Sequence, residues 1–255
     1  MIVFHYDKSF EGLLTAIFDA YLRKTFPHRL LLPDEPEPLF CEGTHTVITD
    51  PEKSERVWKS LEKKVDKNTL NMISYAWLSE LPGADEVIFR YIRKTIDSPH
   101  SIATNFADDD VLQLRQIALK TSREKQRMIE FVRFQKTSDD TYFAAIEPDH
   151  NVLPLIITHF RDRYADQQFI IYDLKRNYGM YSDTRQVTEM SFTESELFDR
   201  GKVKDHLLAE NEVLYQRLWK RYFKAITIRE RINPKLHRQH LPRRYWKYLT
   251  EKDPE

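Results

Sequence analysis

Cysteine occurs once in the 255 residues, at Cys41. One thiol cannot close a disulfide within the chain, and it excludes an iron–sulfur or structural zinc site built from the chain's own cysteines. Glycine is scarce, with five residues, which argues against an all-β fold rich in tight turns. Neither common phosphate loop, GxxxxGK[ST] or GxGxxG, occurs, and HExxH and GxSxG are also missing. No apolar run approaches the roughly 18 residues that cross a bilayer. The opening Met1-Ile2-Val3-Phe4-His5-Tyr6-Asp7 has no basic n-region and does not read as a signal peptide. These absences lead to the expectation of a cytoplasmic protein with no membrane contact, no metal and no cofactor.

What is present suits a folded chain: 41% hydrophobic, 13% aromatic and 31% charged residues. A chain of this length buries a proper core as one large domain or two small ones. Lys plus Arg equals Asp plus Glu, 40 each, for a net charge of zero. The balance hides a segregation. Between Gln216 and Tyr248 there are eleven Lys and Arg against one acid, Glu230, so that window carries +10 and the rest of the chain −10. A basic end on an acidic body points to an anionic partner. The competing reading is that the end neutralises the protein's own acidic face.

Hydrophobic spacing divides the chain. Ile2 to His5 reads as a strand, and Ser9 as the N-cap of a helix whose Phe10, Leu13, Leu14, Ile17, Phe18, Tyr21 and Leu22 recur at helical spacing. Asp50-Pro51 starts a second helix. Asn68 is placed as the cap of a third, and a fourth runs from about Ala84 to Ile96. Asp108-Asp109-Asp110 reads as a cap with favourable charge at a helix N-terminus, against a metal site. From Val111 a helical pattern runs to Phe134. Tyr142 to Ile146 is a strand, Val152 to Tyr164 an apolar helix, and Phe169 to Leu174 a strand that turns back at Tyr178-Gly179-Met180-Tyr181. Gln186 to Met190 alternates like an edge strand. A last helix is expected from about Gly201 to Ile226, with Leu207, Leu214, Leu218 and Tyr222 inward. The expected fold class is α+β and mostly helical, with a small mixed or antiparallel sheet around a strand-helix-strand-strand unit and a helical subdomain. The expected divisions are 1–110, 111–195 and 196–255, with all three forming one compact unit as the alternative.

Candidate ligand-pocket residues cluster at the turns of the central stretch. Asp149 and His150 sit where a strand turns into a helix, and a histidine there can exchange protons near neutral pH. The alternative is that Asp149 or Asn151 caps the helix and His150 is solvated. Asp173, Arg176 and Tyr178 surround the next hairpin. Arg133 and Arg176 can clamp an anion at one end of the sheet; equally, Asp173 and Arg176 can be a local ion pair that steadies the turn. Beyond them, Arg229, Arg231, Lys235, Arg238, Arg243, Arg244 and Lys247 interleave with Tyr245, Trp246 and Tyr248. That pattern suits a nucleic-acid backbone with stacking. It also suits a C-terminal segment whose aromatics anchor it to the body while its cations stay wet.

Three segments together carry a family resemblance. They are Tyr6-Asp7-Lys8-Ser9-Phe10-Glu11-Gly12-Leu13-Leu14, then Phe131-Val132-Arg133-Phe134 with Ile146-Glu147-Pro148-Asp149-His150, and Glu230-Arg231-Ile232-Asn233-Pro234-Lys235-Leu236. With these the chain resembles an uncharacterised bacterial family, the "probable DNA metabolism protein" group, built around a domain of unknown function. Its members are typically encoded beside a radical-SAM protein assigned to DNA, and a related domain is fused to uracil-DNA-glycosylase-like proteins. The resemblance implies a role in DNA repair or modification as one half of a two-protein system. It supplies no catalytic residue. The chain lacks CxxxCxxC, so a radical-SAM cluster belongs to the partner. The resulting expectation is an accessory protein that binds DNA, a radical-SAM partner, or both. The alternatives are a small-pocket enzyme using the central stretch and a purely structural interaction module.

Overall fold

In a computed structural model, which describes residues 1–191, 198–199 and 201–252, the chain divides into two compact units, Met1–Ser122 and Arg123–Glu255. The fold is α+β in both.

The first unit begins with β1 (Ile2–His5), which leads through Asp7-Lys8-Ser9 into α1 (Phe10–Arg23). β1 is the centre of a three-stranded parallel sheet, flanked by β2 (Arg29–Leu31) and β3 (Gly43–Thr46). Leu30 and Leu31 therefore extend the sheet two residues ahead of Pro33. The opening supplies Phe4, Tyr6, Leu13 and Ile17 to the core. The helices α2 (Pro51–Lys64), α3 (Lys67–Trp77) and α4 (Ala84–Asp97) complete it with Leu61, Ile73, Ile88, Tyr91 and Ile92.

Local capping explains the boundaries. Ser9 Oγ accepts from Gly12 N at 2.8 Å, and Asp50 Oδ1 accepts from Glu52 N and Lys53 N ahead of Pro51. The cap of α3 is Asp66, not Asn68: its carboxylate accepts from Thr69 N at 2.9 Å, which leaves Asn68 inside the first turn. Asp108 Oδ1 accepts from Asp110 N and Val111 N at the start of α5 (Asp109–Phe131). Lys94 and Arg90 of α4 hold Asp108 and Asp110 in ion pairs of 2.7–2.8 Å.

The second unit is built on a five-stranded sheet in the order β4 (Gln135–Lys136), β5 (Tyr142–Ile146), β6 (Phe169–Asp173), β7 (Tyr178–Ser182), β8 (Val187–Met190). β5 and β6 run parallel, joined by α6 (Leu153–Arg163), and every other pairing is antiparallel. This is the strand-helix-strand-strand unit, and β8 is its edge. The core behind it joins Ile146, Val152, Ile156, Phe169 and Ile171 to Leu241, Tyr245 and Leu249 of the C-terminal segment.

The region after the sheet departs from expectation. Gly201 does not begin a helix. It has φ +81°, and a Cβ there would meet the Tyr248 ring and Leu174. Lys202–Val203 is instead a short strand, β10, paired with β9 (Phe198–Asp199), and Asp205–Leu207 is a 3₁₀ turn. The helix α7 starts only at Glu212 and runs to Ile226. Leu214, Leu218 and Tyr222 do not face inward either: they are 53%, 48% and 55% exposed. The helix is anchored by a polar contact, since buried Glu212 accepts from Lys136 N at 3.1 Å and from Gln216 Nε2 at 3.0 Å. A short helix, α8 (Pro234–His240), capped by Asn233, follows.

Gly12 is the tightest backbone position of the opening. A Cβ there would sit 2.2 Å from Asp7 Oδ1 and 3.0 Å from Thr49 Oγ1. Both atoms belong to a hydrogen-bonded set in which Ser9 and Thr49 donate to Asp7 at 2.6–2.7 Å. Gly12→Ala gains about 1 kcal/mol of helix propensity, but disrupting the set costs about 1–3 kcal/mol. The expected net effect is a lower urea midpoint for the first unit; a raised midpoint contradicts the packing described.

Candidate functional site

Glu147-Pro148-Asp149-His150, the turn between β5 and α6, is held from every side. Glu124 of α5 is buried, and its Oε1 and Oε2 accept from the backbone N–H groups of Asp149 and His150, each at 2.9 Å. The same carboxylate accepts from Tyr245 Oη and from Arg244 Nη2 (3.1 Å). His150 Nε2 lies 3.8 Å from Glu124 Oε2. Arg244 also pairs with Asp149 Oδ2 at 2.7 Å. Glu147 takes Tyr248 Oη at 2.6 Å and the Lys247 ammonium.

The β6–β7 hairpin closes the other side. Asp173, fully buried, accepts from Lys175 N and Arg176 N and pairs with Arg176 Nη1 at 2.8 Å. Arg176 donates onward to the carbonyls of Pro148 and Asp149, and Lys175 Nζ to the Asp149 carbonyl. Tyr178 Oη donates to Asn151 Oδ1 at 2.5 Å. Neither Asp149 nor Asn151 caps α6. Its N-cap is Val152, with no side-chain bond: Pro154 has no N–H to cap, and Leu155 N bonds the Val152 carbonyl at 2.9 Å. His150 is buried, not solvated, with its backbone N–H and its ring both beside Glu124.

The electrostatics follow from these donors. Burial opposes ionisation of Glu124, but the hydrogen bonds from Tyr245, the Asp149 and His150 amides and Arg244 outweigh it and hold the carboxyl below its ordinary range. At Asp173 the balance reverses: burial raises its pKa, and the Arg176 pair offsets only part of the rise. Burial and Glu124 together push the Tyr245 phenol upward, so it remains a donor.

Asp149, His150, Asp173, Arg176 and Tyr178 are thus brought together, while Arg133 stands apart. Its Nε and Nη2 pair with Glu251 at 3.3 and 2.8 Å, and Nη1 donates to the carbonyls of Glu130 and Val132. Of the six, only Arg133 lines the open groove of this unit, which has a volume of about 930 Å³. One wall is α7 with Tyr215, Leu218, Trp219 and Tyr222. The other comes from Phe134 and Tyr142, from Phe160 and Arg163 of α6, and from Tyr164 just after it. Glu251 fixes the corner between them: besides Arg133, it accepts from Trp219 Nε1 at 2.9 Å, and the Arg133 guanidinium lies 5.5 Å from the indole centre.

The basic residues divide into two sets. Arg244 and Lys247 belong to the clamp around the turn, and Trp246 is half-buried with Nε1 on the Leu241 carbonyl. Arg229, Arg231, Lys235 and Arg238 are exposed and form no ion pair with a described residue; Arg243, also exposed, lies over the Trp246 ring. Arg217 and Arg221 on α7 are likewise exposed and unpaired among the described residues. Sequence reasoning missed Glu124, Glu251 and the aromatic wall of α7. The first two are single acids whose partners lie between 25 and 121 residues away in sequence. The third was legible, because Tyr215, Trp219 and Tyr222 fall at i, i+4 and i+7.

Residues 82–251, two thirds of the chain, match the model of the family described as a domain of unknown function, DUF4130. The chain belongs to this family. The matched span holds every residue of the turn clamp, the groove and the basic segment. No curated protein and no solved structure matches the chain.

Glu124→Gln keeps the side-chain volume but presents an amide NH₂ to one of the donors now satisfied. Leaving buried donors unmatched is expected to cost about 2–4 kcal/mol at neutral pH, read from urea unfolding of the second unit. A carboxyl with a depressed folded pKa contributes stability above its unfolded pKa, and that contribution is lost as pH falls through the folded value. The wild type should therefore lose stability on acidification below the usual carboxylate range, and the Gln variant should lose less of it. A Gln variant as stable as wild type at pH 7 contradicts the clamp.

Proposed function

We propose that this protein is an accessory DNA-binding protein of DNA repair or modification, which presents DNA to a partner enzyme and does not itself break bonds. The observation that carries the reading is the solvent-facing set Arg217, Arg221, Arg229, Arg231, Lys235 and Arg238. These cations have no carboxylate among the described residues to neutralise them, and they come from one window of charge +10. Phosphates are the counter-charges such a surface suits. The resemblance to the DNA-metabolism family supports a radical-SAM protein as the partner.

Catalysis by the central stretch is the weaker reading. Asp149, Asp173, Arg176 and Tyr178 have their polar atoms committed to the turn and hairpin. A catalytic group has to reach a substrate atom within hydrogen-bond distance, and these groups already hold the backbone of the turn. The groove and the basic segment remain open.

Simultaneous Arg229→Glu, Arg231→Glu, Lys235→Glu and Arg238→Glu changes lie outside the clamp and should leave folding intact. The variant is expected to lose about tenfold or more in affinity for a labelled DNA at low salt, measured by fluorescence anisotropy. Its log–log salt slope should become shallower by about 0.7–0.9 for each phosphate that is no longer neutralised. Equal binding by variant and wild type, or no DNA binding by the wild type, overturns the reading.

A further inference from the structure

We infer that the groove between α7 and α6 takes the unstacked bases of a single DNA strand, so that the protein prefers single-stranded to duplex DNA. The inference rests on the DNA-binding reading above and adds the form of DNA recognised.

Three aromatic rings carry it. Tyr215, Trp219 and Tyr222 are 63%, 37% and 55% exposed, and all three line the groove. At i, i+4 and i+7 they share one arc of α7 and span about 10 Å along its axis. Exposed aromatic rings in water are costly unless something covers them, and every base has a face that stacks on such a ring. A duplex keeps its base faces against one another, so only a single strand offers them.

The rings are fixed in advance. Trp219 is held by Glu251 through its N–H, and its ring packs 5.8 Å from Tyr222. A preorganised indole loses little freedom on binding. Charge also suits a strand. Arg163 on the facing wall is exposed and makes no ion pair with a described residue, whereas Arg217 and Arg221 lie on the far side of α7 from the ring-bearing arc, and Glu130 and Glu212 also line the groove. A strand with its bases in the groove brings a phosphate to Arg163. An apolar helix of another protein would offer Arg163 no counter-charge.

The test compares a short oligo-dT with a duplex of mixed sequence, by anisotropy and by quenching of tryptophan fluorescence. The wild type should bind oligo-dT more tightly and show quenching that Trp219→Phe removes, while Trp219→Phe retains most of the affinity because a ring remains. Tyr215→Ala with Tyr222→Ala changes two exposed rings and should fold normally. It should lose about tenfold or more for oligo-dT and little for duplex. Charge reversal at Arg229, Arg231, Lys235 and Arg238 should weaken both. If charge reversal weakens DNA binding but the ring variants bind oligo-dT like wild type, or single strand and duplex bind equally, the groove inference fails and the DNA-binding reading stands. If the wild type is a dimer that the ring variants dissociate, the face is a protein interface and the inference is overturned.

Discussion

The second unit depends on one buried carboxylate. Glu124 has four hydrogen-bonded donors, which is close to the full capacity of its two oxygens: Tyr245 Oη, Arg244 Nη2 and the N–H groups of Asp149 and His150. Taking a carboxylate out of water costs several kcal/mol, and only a complete donor set offsets that. The donors come from the β5–α6 turn and from the C-terminal segment, about 25 and 120 positions away in sequence. The core is consequently incomplete until both have arrived. Leu241, Tyr245 and Leu249 then close over Ile146, Val152 and Phe169, so the apolar and polar parts of the closure form together.

This constraint explains why the polar turns of the central stretch resemble a site without being an open one. Acidic, basic and aromatic residues gather at the C-terminal ends of β5 and β6, which is where ligands often sit in sheets with parallel strands. Here the protein's own side chains occupy that place. Arg176 reaches the carbonyls of Pro148 and Asp149, Lys247 and Tyr248 take Glu147, and Arg244 takes Asp149. Each residue serves a backbone or carboxylate group that burial would otherwise leave unmatched.

Much of the architecture was legible in local pattern. The helical spacing of Leu13, Ile17 and their neighbours, the cap at Ser9, Asp50-Pro51 and the strand-helix-strand-strand order all rest on interactions close in sequence. The failures share a cause. Asn68 fits a cap by residue type, although Asp66 begins the turn. Gly201 sits ahead of a helical run, but its left-handed backbone and the Tyr248 ring against it are tertiary facts. The periodicity of α7 is real, yet periodicity reports an apolar face and not what covers it. The basic segment holds two populations that no charge count separates. Arg244 and Lys247 are structural, whereas Arg229, Arg231, Lys235 and Arg238 face solvent.

That separation changes what the charge segregation means. If the whole +10 window neutralised an acidic body, its cations would be paired throughout. Instead the paired cations are concentrated where the C-terminal segment enters the core, and Arg217, Arg221, Arg229, Arg231, Lys235 and Arg238 before it are left to water. Holding α7 by Glu212 and Glu251 rather than by its apolar face has a related consequence. Two acids fix the helix at its start and along its flank, and they do so without consuming Tyr215, Trp219 or Tyr222. A helix anchored through its apolar stripe would have no rings left to offer. One anchored through carboxylates keeps an aromatic arc open on one side and leaves Arg217 and Arg221 to water on the other, and exposed rings of this kind suit flat bases.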